Sequence, residues 1–378
     1  LSLNLFVLLV LAVCALSLLA FKAVSTLVNL PRRAGEWRAL RRERAAAHAL
    51  REAMTEYFAA RYSRARKAAD RALACAEGTP QLERDGEFLL LAHLVGAGSL
   101  HRLQDRTQRD ESLRQAMKVA RDIKGAPRST DEAPRLLAAE WALDDRDALR
   151  ALEALAALPA GVARRTHALR LKLKAARMAR RPLEALHTAR LLANHQAFSP
   201  DVAQSLTRSL AREVLDEAHA IDQLHRLWSQ LDAADRRDPQ VVAMVAQRAV
   251  RLDAPADARQ WLRPFWDKLS TLPADDRCAV ALALIEARSG IGSDWLPRLE
   301  QALHSSGHES EVAAAVGMAY ADRGLWGKAR VLLQQSAGAV ELPNRTRRAV
   351  WRQLAALARE DNDEPTALRC EQAAAALD

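Results

Sequence analysis

The sequence predicts an all-α protein, with an N-terminal transmembrane helix followed by an α-solenoid of antiparallel helix pairs. Three observations lead to this fold class. Glycine and proline number only 14 each in 378 residues and aromatics make up 4%, while Ala, Leu and Arg dominate and no stretch alternates polar with apolar over a strand length. The chain begins LSLNLFVLLVLAVCALSLLAF, with no charge before Lys22. Helix breakers then recur: Pro159, Pro182, Pro200, Pro239, Pro255, Pro273, Gly290, Gly307, Gly324, Pro343 and Asn362 stand 16–19 residues apart, except for gaps of 23 after Pro159 and 39 after Pro200, the latter read as two helices with a turn lacking Pro or Gly.

From Leu5 to Phe21 only Ser17 is clearly polar. That length is at the short end of what spans a bilayer, and Leu1 to Leu3 extend it, so residues 1–22 are expected to form a transmembrane helix. The rival reading, a secretory signal, needs a basic stretch ahead of the apolar run, a shorter run and a small-residue cleavage site, and no basic stretch is present. Residues 23–50 are expected to form a basic juxtamembrane helix. Lys22, Arg32, Arg33, Arg38, Arg41, Arg42, Arg44 and Arg51 face only Glu36 and Glu43, which places 8 − 2 = +6 of the chain's +9 net charge in this segment. Such an excess marks the cytoplasmic side of a span. It can also hold anionic head groups, with Trp37 at the interface; the alternative is a solvated charged face, which leaves the orientation argument intact. The remainder is near neutral, so the sequence pI of about 9.8 does not predict a nucleic-acid partner.

Beyond residue 50 the periodicity is helical throughout, and we divide it into a helical region over 51–125 and a repeat solenoid over 126–378. One helix plus one turn per roughly 17 residues gives a unit of about 34, the period of the tetratricopeptide repeat; a general bundle of helices of similar length is the alternative. The stretch AAAVGMAYADRGLWGKARVLLQQS (313–336) resembles that repeat closely. Gly317 would let two helices approach, Tyr320 would fill the space between them, Gly324 falls at the turn, and Ala329 and Leu333 fall on the second helix. Trp351, Leu354, Ala355 and Ala367 echo the pattern near the C-terminus, as do Leu169, Leu173, Ala176 and Ala185 in the middle and Ala53, Ala60, Tyr62, Ala65 and Ala69 early on. Helix pairs of this kind bury their apolar faces only against neighbours and form a curved array with a concave binding face.

Motifs that carry chemistry are missing. Cys14, Cys75, Cys278 and Cys370 are far apart and form no CxxC, so they read as small buried hydrophobes. His304 and His308 are four apart, but Ser305, Ser306 and Gly307 read as a turn, and no HExxH occurs. GAG at 96–98 and GIG at 290–292 do not extend to GxGxxG, and neither a P-loop nor GxSxG is found. The pairs Asp144–Asp145 and Asp275–Asp276 read as helix starts or turns. His93 and His101 bracket a small-residue stretch that reads as helix packing, with a haem ligand as the alternative. Trp261, Phe265 and Trp266 read as a satellite core or as an exposed anchor for a partner. No catalytic residue and no metal ligand is predicted.

The layout resembles the HemY family of proteobacterial inner-membrane proteins. The resemblance rests on LPRRAGEWRALRRERAAAHALREAM (30–54), YFAARYSRARKAADRAL (57–73), QDRTQRDESLRQA (104–116) and the C-terminal repeat at 313–336. It implies a non-catalytic scaffold in a late step of protohaem synthesis, anchored in the bacterial inner membrane with its solenoid in the cytoplasm. The partners implied are late haem-pathway proteins, a porphyrinogen oxidase or ferrochelatase, together with membrane lipid. Family members carry two N-terminal membrane helices, so a further helix is expected ahead of Leu1. An unrelated flavin-dependent porphyrinogen oxidase shares the label, but it would need a dinucleotide fingerprint that this sequence lacks. Two alternatives stay open: a haem or porphyrin carrier, using His93, His101 or the 261–266 aromatics, and a general tetratricopeptide adaptor in cell-envelope assembly. The sequence sets neither the oligomeric state nor the residues of the binding face.

Overall fold

A computed structural model describes residues 3–123 and 131–377; within the first helix the side chains of 3–10, 12, 13, 15, 20, 23–34 and 36 fall outside the description. The described residues are helical, without strands, and their contacts divide the chain into two compact units, Leu1–Leu171 and Lys172–Asp378.

The first unit opens with α1 (Leu3–Phe58), followed by α2 (Tyr62–Ala76), α3 (Pro80–Glu83), α4 (Gly86–Arg102), α5 (Arg106–Asp122), α6 (Glu132–Asp144), α7 (Ala148–Ala156) and α8 (Ala160–Ala163). Among the described residues, it is the C-terminal part of α1 that joins the core. Ala46, Ala49 and Leu50 pack with Ala72 and Ala76 of α2 and with Phe88 and Ala92 of α4. Alanine on both sides keeps the α1–α2 contact short, because helix separation follows side-chain size. Gly98 serves the same end on α4: a Cβ there would lie 3.1 Å from the Tyr57 ring.

Helix α9 (Thr166–Met178) carries the chain past residue 171. The second unit continues with α10 (Pro182–Asn194), α11 (Pro200–Asp216), α12 (Ile221–Gln230), α13 (Ala233–Arg236), α14 (Pro239–Arg251) and α15 (Pro255–Trp266). It ends with α16 (Ala274–Ala287), α17 (Leu296–Ser306), α18 (Ser310–Asp322), α19 (Trp326–Ala337), α20 (Asn344–Glu360) and α21 (Glu364–Ala375). Helices α11, α14, α16, α18 and α20 pack successively on one another, and α12, α15, α19 and α21 each pack on the member before them. Each pair buries its apolar stripe mainly against the next, a helical-repeat-like arrangement. The breakers act as expected. Pro182, Pro200, Pro239 and Pro255 open helices at their first positions, where the missing N–H leaves no bond unmade. The long interval between Pro200 and Pro239 contains a turn at 217–220 made without either breaker.

The hairpin turns repeat more strictly than the sequence. Ala60, Gln104, Arg146, Arg180, Asp253, Gly324 and Asn362 all have φ between 55 and 72°. At each, the next residue's N–H bonds a carbonyl five positions back: Arg61 to Glu56, Asp105 to Leu100, Asp147 to Ala142, Arg181 to Ala176, Ala254 to Ala249, Leu325 to Tyr320 and Asp363 to Ala358. This is a left-handed C-cap with its six-to-one bond. Arg146 and Arg180 are 34 residues apart, and so are Gly290 and Gly324, two positive-φ glycines. Only Gly324 of those seven positions is a glycine, so the glycine scarcity hid the repeat.

The span expected at 1–22 is not seen as such. Among the described residues no helix is long and apolar enough to cross a membrane. The run is instead the start of α1, and most of its side chains lie outside the described residues, as do those of Arg32 and Arg33 and the boundary expected at 125/126.

Candidate functional site

Five of the six residues expected to pack a repeat meet in the α18–α19 hairpin. Gly317 is buried in the middle of α18, and a Cβ there would lie 3.0 Å from Cγ and Cδ2 of Leu333 and 3.2 Å from Cβ of Leu332. Tyr320, Ala329 and Leu333 are buried beside it. Lys328 Nζ stands 5.8 Å from the Tyr320 ring centre. Gly324 makes the turn with φ +72°.

Trp351 is not part of that hairpin. It is half-buried on α20 and helps floor a groove of about 650 Å³ that runs between α19 and α21, a size typical of ligand pockets. Leu354 and Ala358 continue the apolar floor, and Arg330, Asp361, Asp363 and Arg369 stand along its sides. Arg330 pairs with Asp361. Asp363 accepts the Thr366 backbone N–H at 3.1 Å; bonds from Thr366 hold its pKa below the usual carboxylate value. Arg369 Nη2 donates to Thr366 Oγ1 at 2.9 Å. Burial raises the pKa of Cys370, also on the groove wall, which works against a thiolate nucleophile. An apolar floor edged by both signs of charge suits a peptide or another amphipathic ligand. No motif announced it, because its residues come from three helices; the one local signal was Asn362–Asp363, a turn followed by a cap.

The histidines singled out from the sequence do not converge. His93 and His101 lie eight residues apart on α4, about 12 Å along the axis. His93 is half-buried, and burial lowers its pKa. His101 stacks on Trp141 with ring centres 5.1 Å apart. Its Nδ1 lies 3.3 Å from Arg109 Nη1 and its Nε2 3.3 Å from Asp144, so both ring nitrogens are engaged. Burial and the nearby Arg109 cation lower its pKa.

Arg109, from the 104–116 stretch, is the centre of this cluster. It is 3% exposed and meets Asp145 at 2.6 Å and Asp110 at 2.7 Å. Burial opposes its charge, but hydrogen bonds to those carboxylates raise its pKa above the ordinary value. The cluster ties the α4–α5 hairpin to the end of α6, a structural role. His304 and His308 are both exposed. Among the described residues no three His, Cys, Asp or Glu side chains group to hold a metal ion.

The aromatics of 261–266 part company. Trp261 meets His225 and Trp228 at 4.9 and 5.9 Å, and His225 reaches Asp257 at 2.8 Å. Trp266 turns inward, packs 6.4 Å from Trp295 and donates its N–H to the Arg298 carbonyl at 3.2 Å. Phe265 is half-buried.

Of the basic residues beside the apolar run, Arg38, Arg41, Arg42 and Arg44 are exposed. Arg41 lies over the Trp37 ring, 5.4 Å from its centre.

The molecule is thus an all-helical, helical-repeat-like protein with a basic N-terminal helix. Residues 1–84 match the family model described as the HemY protein N-terminus, a match that supports assignment to the HemY family. It covers the stretches at 30–54 and 57–73 and stops short of those at 104–116 and 313–336. No curated protein matches the chain.

Proposed function

We propose that this chain is a non-catalytic, membrane-anchored scaffold of the bacterial inner membrane, serving a late step of protohaem synthesis. Its array of helix pairs is of the tetratricopeptide kind, lies in the cytoplasm and binds partner proteins of that pathway. One observation carries the anchoring. Leu11, Leu16, Leu18, Leu19 and Phe21 are 62–75% exposed, and at 100° per residue they cover about 220° of the circumference of α1, with Ser17 in the remaining arc. An exposed apolar face that wide needs an apolar surrounding, which water does not provide. The +6 segment that follows favours a cytoplasmic body. The link to haem rests on the family match at residues 1–84. The binding reading rests on the α19–α21 groove, whose lining offers apolar contact and charge of both signs.

The test is affinity capture of the full-length membrane form with quantitative mass spectrometry and an absorbance scan of the eluate. Enrichment of late haem-pathway enzymes over a tag-only control is expected. Envelope-assembly proteins in their place would overturn the pathway assignment. The carrier reading has less support, because His101 is engaged at both nitrogens; a Soret band lost on His93→Ala would restore it.

A further inference from the structure

The basic segment of α1 divides into two faces, and only one of them points away from the protein. Ala46, Ala49, Leu50 and Ala53 form the buried stripe of α1. At 100° per residue, Trp37, Leu40, Arg41, Arg44, His48 and Arg51 fall on the opposite side of the helix. All six are exposed, Trp37 by 60% and Leu40 by 45%. Arg42 lies nearer the protein side, and its guanidinium comes within 3.8 Å of where a Cβ of Gly78 would stand, at the end of α2. Of the acidic residues, Glu43 lies about 120° from Trp37 on the wheel, and Glu52, at the edge of the stripe, is paired with Arg71 of α2 at 2.8 Å.

We infer that this outward stripe, centred on Trp37, Leu40, Arg41 and Arg44, docks on an anionic phospholipid surface. The inference deepens the anchoring reading and rests on it. Two features favour lipid over an acidic protein face. An indole and a leucine alternate with arginines, the composition of a helix lying at the head-group boundary, and the guanidinium of Arg41 covers the Trp37 ring, so charge and apolar surface are presented together. The stripe also continues the helix that carries the apolar run. Pro31 lies between the two in sequence; an interior proline lacks the N–H for a helical bond and permits a bend, which would bring the stripe onto the surface the apolar run enters. The consequence is selectivity for lipid: the body is held close to membranes rich in anionic head groups and released from neutral ones.

The test uses the full chain reconstituted in vesicles of phosphatidylcholine brominated in its acyl chains, with and without phosphatidylglycerol. Bromine quenches a tryptophan at the head-group boundary, and the Trp37→Phe variant isolates the Trp37 share of the signal. Carbonate washing reports integration separately. Trp37 quenching is expected in the anionic vesicles, with little in the neutral ones and a marked drop in about 0.5 M salt. An arginine near an anionic surface is worth roughly a fivefold factor in such an equilibrium, so Arg41→Gln with Arg44→Gln should shift docking about 25-fold toward the undocked state. Integrated protein whose Trp37 quenches equally in both vesicles, or is untouched by the double substitution, would overturn the inference and leave the anchor standing. Protein stripped by carbonate that still shows salt-sensitive, Trp37-dependent quenching would do the reverse.

Discussion

Two glycines within eleven positions of the α18–α19 hairpin, Gly317 and Gly327, make opposite predictions under the same substitution. Replacing a helical glycine by alanine gains up to about 1 kcal/mol of helix propensity. At Gly327 nothing lies within 4 Å of the new methyl, so the gain should survive, and Gly327→Ala should stabilise the hairpin by about 0.5–1 kcal/mol. At Gly317 the methyl would meet Leu333 at 3.0 Å and Leu332 at 3.2 Å. Leu333 is fully buried, so it would have to shift within a close-packed interior. Overpacking of this kind costs about 1–3 kcal/mol, which exceeds the propensity gain; Gly317→Ala should lose about 1 kcal/mol and Gly317→Val about 3. The chain has two compact units, so a single melting curve would blur the effect. Hydrogen exchange of peptides across 310–337 reads the hairpin itself. Slower exchange for Gly327→Ala is expected, with exchange about fivefold faster for Gly317→Ala and over a hundredfold faster for Gly317→Val. If alanine stabilised both sites alike, the close α18–α19 approach, and the reason for a glycine at 317, would be refuted.

Other substitutions probe the turns, the buried cation and the titrating groups. A residue other than glycine in the left-handed region is strained by about 1 kcal/mol; Gln104→Gly and Arg146→Gly should therefore slow exchange in their hairpins, and Gly324→Ala should speed it. Arg109→Leu leaves Asp110 and Asp145 with only the more exposed Arg150 and Arg106 as partners, and a loss of about 1–3 kcal/mol is expected in urea unfolding of the first unit; a loss well under about 1 kcal/mol would reduce the cluster to surface decoration. His93 and His101 have lowered pKa values, so the folded state takes up protons less readily than the unfolded one. Their contribution to stability is complete above the unfolded value of about 6.5 and falls as pH drops below it; His93→Gln should flatten that decline in a pH series of unfolding midpoints. Burial first, then Glu311, pushes the Cys278 thiol up to about 11, so maleimide labelling at pH 8 should run roughly 100-fold slower in the native protein than in urea.

How much of this was legible in the sequence depended on what each feature needs. The helix pairs were readable because proline's covalent geometry favours the first turn of a helix; Pro182, Pro239 and Pro255 mark real helix starts, whereas Pro264 lies inside α15. The Gly317–Leu333 contact was readable because both partners sit in one hairpin, sixteen residues apart. The groove was not, because Arg330, Trp351 and Arg369 come from three helices and no local spacing joins them. The aromatics at 261–266 misled by adjacency: Trp261 and Trp266, five positions apart on α15, end on different faces and pack with different partners.

The turns explain both why the repeat is faint in sequence and how the fold bears it. A left-handed C-cap asks for glycine by sterics, yet Ala60, Gln104, Arg146, Arg180, Asp253 and Asn362 fill it here. Each accepts some strain, and each is followed by compensation. The six-to-one hydrogen bond satisfies an end-of-helix carbonyl, and at Asp105, Asp147 and Asp363 the very next side chain caps the following helix, accepting from Gln108, Arg150 and Thr366. An N-cap of this kind is worth about 1 kcal/mol, the same size as the strain beside it. At Gln104, Arg146 and Asn362 the turn is thus specified by a pair of positions whose energies nearly cancel, whereas Arg61, Arg181 and Ala254 add no side-chain cap. A pattern search that expects glycine finds Gly324 alone among these seven, although the backbone makes the same turn at every one.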